Sequence, residues 1–366
     1  MSGALTPETL EHLLGDPADP ANPFGYAAAV AHDEANTAPE RLYEVLRDAG
    51  FHLNYLPQQW GGAFRSFDRS LTLVRAAARR DVRIMPGTMF GIIAATCLQL
   101  HGTTEQQERV ARILREGGAV AFALTEADHG SDLLAGQVRL DADGLLQGEK
   151  WLVGNGLRAQ AVYVVARTGP RGPGAFTSFL LDLTDGSLDA DDLTRRPAPW
   201  TTGMRGIDLA TLRFDALAVP WDAQVGKEGE GLDVALRAQQ AVRLMSMAGS
   251  LGIADTALRL TLGFTAERRF GRTALSATPY AARESATACA ALLAADAVAL
   301  SAARGVHVVP EAFSVWARPP STWSPRPPRN CCATAAPCWP PARCCANRPR
   351  GTGCSRSCNA TRPWSA

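Results

Sequence analysis

The sequence predicts an α+β chain of several units: an N-terminal α-helical domain over residues 1–118, an all-β middle domain over 119–225 built as an antiparallel sheet or barrel, and an incomplete C-terminal helical bundle over 226–316. Three observations carry this. Apolar residues recur at three- and four-residue spacing up to about Gly118, and the period then changes to that of strands until about Pro220 with no helices between them. Beyond the Gly-rich segment from Gly226 to Gly231, a stripe of Leu244, Leu251, Leu258 and Leu262 returns to helical spacing.

Within the first domain, helical spacing covers Ala38 to Ala49, Ser70 to Arg80 and Pro86 to Leu100, with turn residues Pro57, Gly61 and Gly62 between the first two. Thr103 and Gln106 have the spacing of a capping box, and the helix they open runs through Val110 and Leu114 to Gly117-Gly118. Strands are expected at Val120 to Leu124, Gly136 to Leu140, Ala161 to Arg167, Thr177 to Leu183 and Leu209 to Phe214, with Asp141-Ala-Asp-Gly144 as a hairpin turn. Several strands without alternating helices argue against a doubly wound nucleotide-binding fold. The long helix after Gly231 ends near Arg269. Its roughly 37 residues make a rod of about 55 Å, longer than a solitary helix needs. Pro279 is placed to open a second helix reaching Ala303.

With 366 residues, 46% of them hydrophobic and 20% charged, the chain can bury a large core. The formal charge of +1 hides an asymmetry. Residues 317–366 hold eight Arg and no Lys, Asp or Glu, so the first 316 carry 29 basic against 36 acidic groups. That stretch has no basic cluster interleaved with aromatic platforms, which excludes a nucleic-acid partner. Glu8, Glu11 and Asp16 do not suit the basic start of a signal peptide. The longest apolar region, Ala286 to Ala303, is Ala-rich and interrupted by Asp296, which suits a buried helix better than a membrane span. The expectation is a cytoplasmic protein with no membrane partner.

Residues 317–366 hold seven of the nine Cys, ten Pro and three of the eight Trp, and no Leu, Ile, Val, Met, Phe or Tyr. Such a segment cannot bury enough surface to offset the entropy of ordering it, so disorder is expected. The Cys residues form no C-x-x-C pair and no His follows His307, which speaks against zinc. Sudden enrichment in Arg, Pro, Ala, Cys and Trp is what a shifted reading of GC-rich DNA produces. A frameshift is therefore expected.

The most informative segment is Phe122-Ala-Leu-Thr-Glu-Ala-Asp-His-Gly-Ser-Asp132, a strand running into a tight turn. Thr125 and Ser131 supply hydroxyls, and Gly130 permits a flat ligand to approach the backbone closely. Taken alone, the composition also fits a plain strand-closing turn. Ser131 lacks the flanks of a nucleophile elbow.

The order of helices, L-T-E-x-x-x-G-S-D, strands and a long helix resembles the acyl-CoA dehydrogenase family. Pro57-Gln-Gln-Trp-Gly-Gly62, Gly102-Thr-Thr-Glu-Gln106, Gly148-Glu-Lys150, Gly203-Met-Arg-Gly206, Val219-Pro220 and Gly226 through Gly231 agree with it in sequence order. The resemblance spans roughly residues 40–305. It implies FAD held without a Rossmann fingerprint, in keeping with the lack of G-x-G-x-x-G in the sequence. It places the flavin against the backbone of Phe122, Ala123 and Leu124, the Thr125 hydroxyl, and Gly130 and Ser131, with Ser131 also at the acyl-CoA site. Leu152, Val153 and Gly154 lie where the family sets a flavin-contacting segment, although Leu152 and Gly154 replace its frequent aromatic and hydroxyl residues. Gln240 and Arg243 fall at CoA-contacting positions. Arg243 also reads as a solvated or structural arginine. Arg268 and Phe270 resemble the family's R-x-x-F-G, which binds FAD across a subunit interface, with the Arg-to-Phe spacing one residue short.

By that resemblance the protein is an FAD-dependent oxidoreductase acting on CH–CH groups, desaturating acyl-CoA or an acyl-carrier thioester and passing electrons to an acceptor such as an electron-transfer flavoprotein. The intact architecture would be a homo-oligomer. The chemistry needs a carboxylate to remove the α-proton. Family members carry this Glu late in the chain, or on the long helix at the position of Val242, and neither place offers a carboxylate here. No catalytic residue and no metal site is assigned, and the chain is expected to be inactive. A flavin oxidase or monooxygenase on the same fold and a non-catalytic helical interaction protein are the alternatives.

Overall fold

A computed structural model describes residues 5–310. Six helices open the chain: α1 (Pro7–Leu14), α2 (Tyr26–Ala35), α3 (Glu40–Asp48), α4 (Phe67–Ala78), α5 (Ile84–His101) and α6 (Thr104–Arg115). Local chemistry sets their ends. Thr6 and Thr9 form a capping box before α1, with Pro7 in its first turn, and Gly15 closes it. At α6 the expected box is present: Gln106 N–H donates to Thr103 Oγ1 at 3.2 Å and Thr103 N–H donates to Gln106 Oε1 at 3.1 Å. The Gln106 amide also donates to the Asp222 and Gln224 carbonyls, both at 2.9 Å, tying α6 to the end of the sheet region. Leu10, Leu42, Leu71, Leu98 and Val110 are buried in one core.

Eight strands follow: β1 (Val120–Ala123), β2 (Arg139–Leu140), β3 (Leu145–Gly154), β4 (Ala161–Arg167), β5 (Phe176–Asp182), β6 (Leu193–Pro197), β7 (Leu209–Ala218) and β8 (Gln224–Val225). Their order is β6-β7-β3-β2-β4-β5-β8, with β1 on β4. Most ladders are antiparallel, as the sequence predicts, but β1 and β2 each run parallel to β4. The Asp141–Gly144 turn forms, with Asp141 Oδ1 accepting from the Asp143 and Leu145 N–H groups. Alternation splits the sheet's side chains between two cores. Phe122, Tyr163, Val165 and Leu180 join the helical core, whereas Ala121, Val162, Val164, Leu212 and Phe214 form a second cluster.

The loop between β6 and β7 docks on α2 and the residues that follow it through a buried arginine. The Arg83 guanidinium pairs with Asp81 and donates to the carbonyls of Ala29 (3.2 Å), Thr37 (3.1 Å) and Arg205 (3.3 Å). Arg205 in turn pairs with Asp33 at 2.6 Å, and Gly206 N–H donates to Asn36 Oδ1 at 2.9 Å. Gly206 has φ +82°, and a Cβ there would stand 2.3 Å from the Thr37 carbonyl oxygen, so only glycine fits this crossing.

The chain then enters α7 (Gly231–Glu267), 37 residues long as the sequence predicts. Its first residue sits hard against β5: a Cβ on Gly231 would lie 2.6 Å from the Thr177 carbonyl carbon and 2.7 Å from the Ser178 nitrogen. One compact unit contains the described residues up to Thr256 and from Cys289 onward; the other contains Ala257–Ala288. The second unit carries the end of α7, a hairpin of β9 (Arg269–Phe270) and β10 (Thr273–Ala274), and the start of α8 (Pro279–Val308). The expectation that the apolar stretch from Ala286 to Ala303 forms a buried helix is corrected. Helix α8 is long and apolar enough to cross a membrane by length and composition, yet only 17% of its apolar window is buried. Ala299 and Ala303 are buried in the helical core, while most of the helix stays at least partly exposed among the described residues. Residues 311–316 of the third domain and the reading of 317–366 as a disordered, frameshifted tail lie outside the described residues.

Candidate functional site

Strand β1 pairs Phe122 with Tyr163 and Ala123 with Val164. The chain then leaves the sheet at Leu124 and Thr125 and turns tightly. Gly130 N–H donates to the Glu126 carbonyl at 3.0 Å and Asp132 N–H to the His129 carbonyl at 2.9 Å, with Gly130 at φ +52°. Phe122, Ala123 and Leu124 are buried, Thr125 is half-buried, and Gly130 and Ser131 are exposed. Among the described residues neither the Thr125 nor the Ser131 hydroxyl has a hydrogen-bond partner. A Cβ at Gly130 would meet nothing within 4 Å, so this side of the turn faces open space.

Strand β3 lies alongside. Lys150 stands opposite Leu212 and Val153 opposite Ala210, so β3 holds one extra residue here, a β-bulge. Leu152 takes φ +52°, an uncommon conformation for a branched side chain that the surrounding structure must impose. The bulge frees Trp151 N–H from β7, and it donates to the Thr125 carbonyl at 2.8 Å. The structure thus brings Phe122, Ala123, Leu124 and Thr125 together with the segment of Leu152, Val153 and Gly154.

Beneath this junction lies an ion pair that sequence reasoning did not assign. Lys150 Nζ donates to Glu126 Oε1 at 2.8 Å and to the Leu124 carbonyl at 2.9 Å. The Glu126 carboxylate also accepts from Gln137 N–H at 2.6 Å and Val138 N–H at 3.1 Å. Lys150 is 2% exposed and Glu126 7%. Burial alone would raise the Glu126 pKa, but the Lys150 charge and the Gln137 N–H outweigh it and hold the carboxyl below its ordinary value. Burial lowers the Lys150 pKa against the pull of Glu126. The available signal was slight: Glu126 stands in a polar turn and Lys150 beside Glu149 on β3, so neither stands out in the sequence.

The remaining predicted residues stand elsewhere. Gln240 and Arg243 are neighbours on α7, Arg243 donating to Gln240 Oε1 at 3.1 Å, and Arg243 is exposed. In the second unit, Arg268 N–H caps the end of α7 on the Phe264 carbonyl at 2.9 Å, and Phe270 is 60% exposed on β9. A cavity of about 230 Å³ has Phe51, His52, Ile92, Leu114 and Arg158 among its lining residues and none of the predicted site residues.

Residues 25–117 match the sequence model of the acyl-CoA dehydrogenase N-terminal domain, and residues 121–217 match that of its middle domain. The chain belongs to the acyl-CoA dehydrogenase family. This acyl-CoA dehydrogenase homologue is 28% identical over 242 residues to the probable acyl-CoA dehydrogenase FadE25 of Mycobacterium tuberculosis, covering 65% of this chain and 61% of that one. It thus spans about 61% of the length of that curated relative. Butyryl-CoA dehydrogenase from Megasphaera elsdenii superimposes with a TM-score of 0.78 at 22% identity, over 92% of this chain and 89% of that one. The prolyl acyl carrier protein oxidase AnaB superimposes with a TM-score of 0.74 at 20% identity, over 84% and 82%. At these identities the two structures establish the shared fold.

Proposed function

We propose that the protein is an FAD-binding, acyl-CoA dehydrogenase-like chain built for α,β-desaturation of an acyl thioester, and that in this form it lacks the base to complete the reaction. The observation that carries the reading is the turn after β1, where among the described residues the Thr125 and Ser131 hydroxyls have no hydrogen-bond partner and Gly130 faces open space. These residues fit a flat ring laid on backbone, which needs hydrogen-bonding groups at its edge and no Cβ in its way. Thr125 would bind the flavin edge, Ser131 the flavin and the thioester, and Gln240 and Arg243 the CoA moiety. Leu152, with Val153 and Gly154 behind it, presents an apolar side chain where an aromatic one would give a larger contact. Arg268 and Phe270 would reach the FAD of another subunit.

FAD held by Thr125 and Ser131 would supply the acceptor for the hydride that leaves the β-carbon of the acyl group. Ser131, Gln240 and Arg243 would orient the thioester. Proton removal is the step they do not supply. Val242 is buried on α7 and has no titratable group, and residues 317–366 contain no carboxylate side chain. Acyl-CoA or an acyl-carrier thioester is the proposed ligand, and an electron-transfer flavoprotein the proposed electron acceptor of an intact relative.

The purified full chain is titrated with FAD and then, anaerobically, with butyryl-CoA. We expect flavin absorption bands that co-elute with protein, a spectral perturbation on adding butyryl-CoA, and no bleaching. Arg243→Ala should weaken the butyryl-CoA perturbation about 10-fold, the scale of one hydrogen bond to a charged group. Folded protein without flavin bands would overturn the cofactor assignment, and bleaching would overturn the inactivity. The AnaB fold keeps an oxidase reading in view, and steady oxygen consumption with a thioester would favour it.

A further inference from the structure

We infer that the buried Lys150–Glu126 pair is a positioning device for the flavin-facing turn, and that its role is to fix where the Thr125 and Ser131 hydroxyls stand. The inference rests on the proposed flavin site and extends it to residues that touch no ligand. Its basis is the set of atoms the pair gathers. Lys150 Nζ holds the Leu124 carbonyl at 2.9 Å, immediately before Thr125, and Glu126 Oε1 at 2.8 Å, immediately after it. Glu126 is anchored in turn by the backbone N–H groups of Gln137 and Val138, at 2.6 and 3.1 Å, where the chain re-enters the sheet. The start of the turn is thereby tied to the ammonium on β3, and its far end to the carboxylate that this ammonium holds.

The third tie comes from the bulge next to Lys150, where Trp151 N–H holds the Thr125 carbonyl at 2.8 Å. Thr125 is therefore fixed on both sides and at its own carbonyl, while its hydroxyl has no hydrogen-bond partner among the described residues. Space is tight as well: a Cβ on Gly136 would lie 3.1 Å from Glu126 Oε1. A buried ion pair is not the economical way to stabilise a core, because apolar residues of similar volume often do as well or better. What apolar residues cannot do is accept two backbone N–H groups and donate to a carbonyl in fixed directions. The retained charges therefore point to geometry as their purpose.

The test uses the full chain and two variants, Lys150→Met and the double variant Glu126→Leu/Lys150→Met. The double variant keeps the result interpretable if an unpaired Glu126 prevents the single variant from folding. Thermal unfolding reports overall stability, hydrogen exchange reports the turn in flavin-free protein, and FAD titration by fluorescence quenching reports the site. We expect the double variant to unfold within a few degrees of the parent. The amides of Gly130, Asp132 and Trp151 should exchange at least 10-fold faster, while those of β4 and β5 do not change. FAD should bind at least 10-fold more weakly. Unchanged exchange at those three amides, or a uniform acceleration that follows a lowered unfolding temperature, would overturn the inference and leave the pair a plain structural element. If the parent itself binds no FAD, the proposed function fails, and the exchange measurement alone still decides the positioning role.

Discussion

Arg83→Met tests whether the loop between β6 and β7 is held to the N-terminal helices by one guanidinium. In the parent, Arg83 pairs with the buried Asp81 and donates to the carbonyls of Ala29, Thr37 and Arg205. Methionine retains most of the volume and removes every donor. Asp81, 7% exposed, is left without its guanidinium, although it still accepts from the residue 83 backbone N–H. Removing one partner of a buried pair costs roughly 3–5 kcal/mol. Confined to this junction, that cost raises the population of the locally open state about 150- to 5000-fold, at 1.36 kcal/mol per decade. Native-state hydrogen exchange reads it at two amides of the docked loop, Arg205, which donates to Asp33 Oδ1 at 3.1 Å, and Gly206, which donates to Asn36 Oδ1 at 2.9 Å. Both should lose protection by that factor, while the β4–β5 ladder keeps its own. Arg83→Lys should recover only part of the loss, because an ammonium lacks the planar fork that reaches Asp81 and three carbonyls together. Protection within 3-fold of the parent at both amides in Arg83→Met would refute the reasoning.

Three further outcomes follow from the same geometry. Gly231→Ala sets a methyl 2.6 Å from a backbone carbon of Thr177, which no side-chain rotation relieves, so calorimetry should show a loss of about 1–3 kcal/mol and a Tm lower by several degrees. Because the folded Glu126 carboxyl titrates below its ordinary 4.5, its stabilisation is complete above that pH and is lost as pH falls through the lower folded value. A Tm profile from neutral pH to about pH 3 should therefore have a shallower acid limb in Glu126→Gln than in the parent. Thr125→Val removes one hydroxyl at nearly constant shape. FAD affinity should fall about 3- to 10-fold, in line with one hydrogen bond of about 1 kcal/mol, with Tm unchanged.

Features governed by near neighbours were legible in the sequence. The Thr103–Gln106 box, the Asp141–Gly144 turn and the extent of α7 each depend on residues a few positions apart, and each stands where periodicity and capping chemistry put it. The parallel seating of β1 on β4 was not legible, because it depends on which strand edges remain free once the rest of the sheet has paired. Strand β3 escaped for a different reason: Gly148 at φ +121° and the buried Lys150 interrupt its apolar alternation. The site divides in the same way. Thr125, Gly130 and Ser131 are visible as one motif, but Glu126 and Lys150 lie 24 residues apart, and a lone lysine in a strand reads as solvent-facing until its carboxylate is found.

The parallel pairing of β1 also carries a kinetic consequence. Ala119 and Gln160, which join just before the β1–β4 ladder begins, are separated by 41 residues. A hairpin strand finds its partner within microseconds, whereas β1 must wait for a chain segment synthesised well after it, and closing that loop is a nonlocal event. Until β4 arrives, Phe122 and Leu124 have no ladder to join, and the turn that follows them has no platform. Folding on the ribosome should therefore form the six N-terminal helices first and this turn late, so a nascent chain arrested before residue 161 would hold those helices and lack the turn.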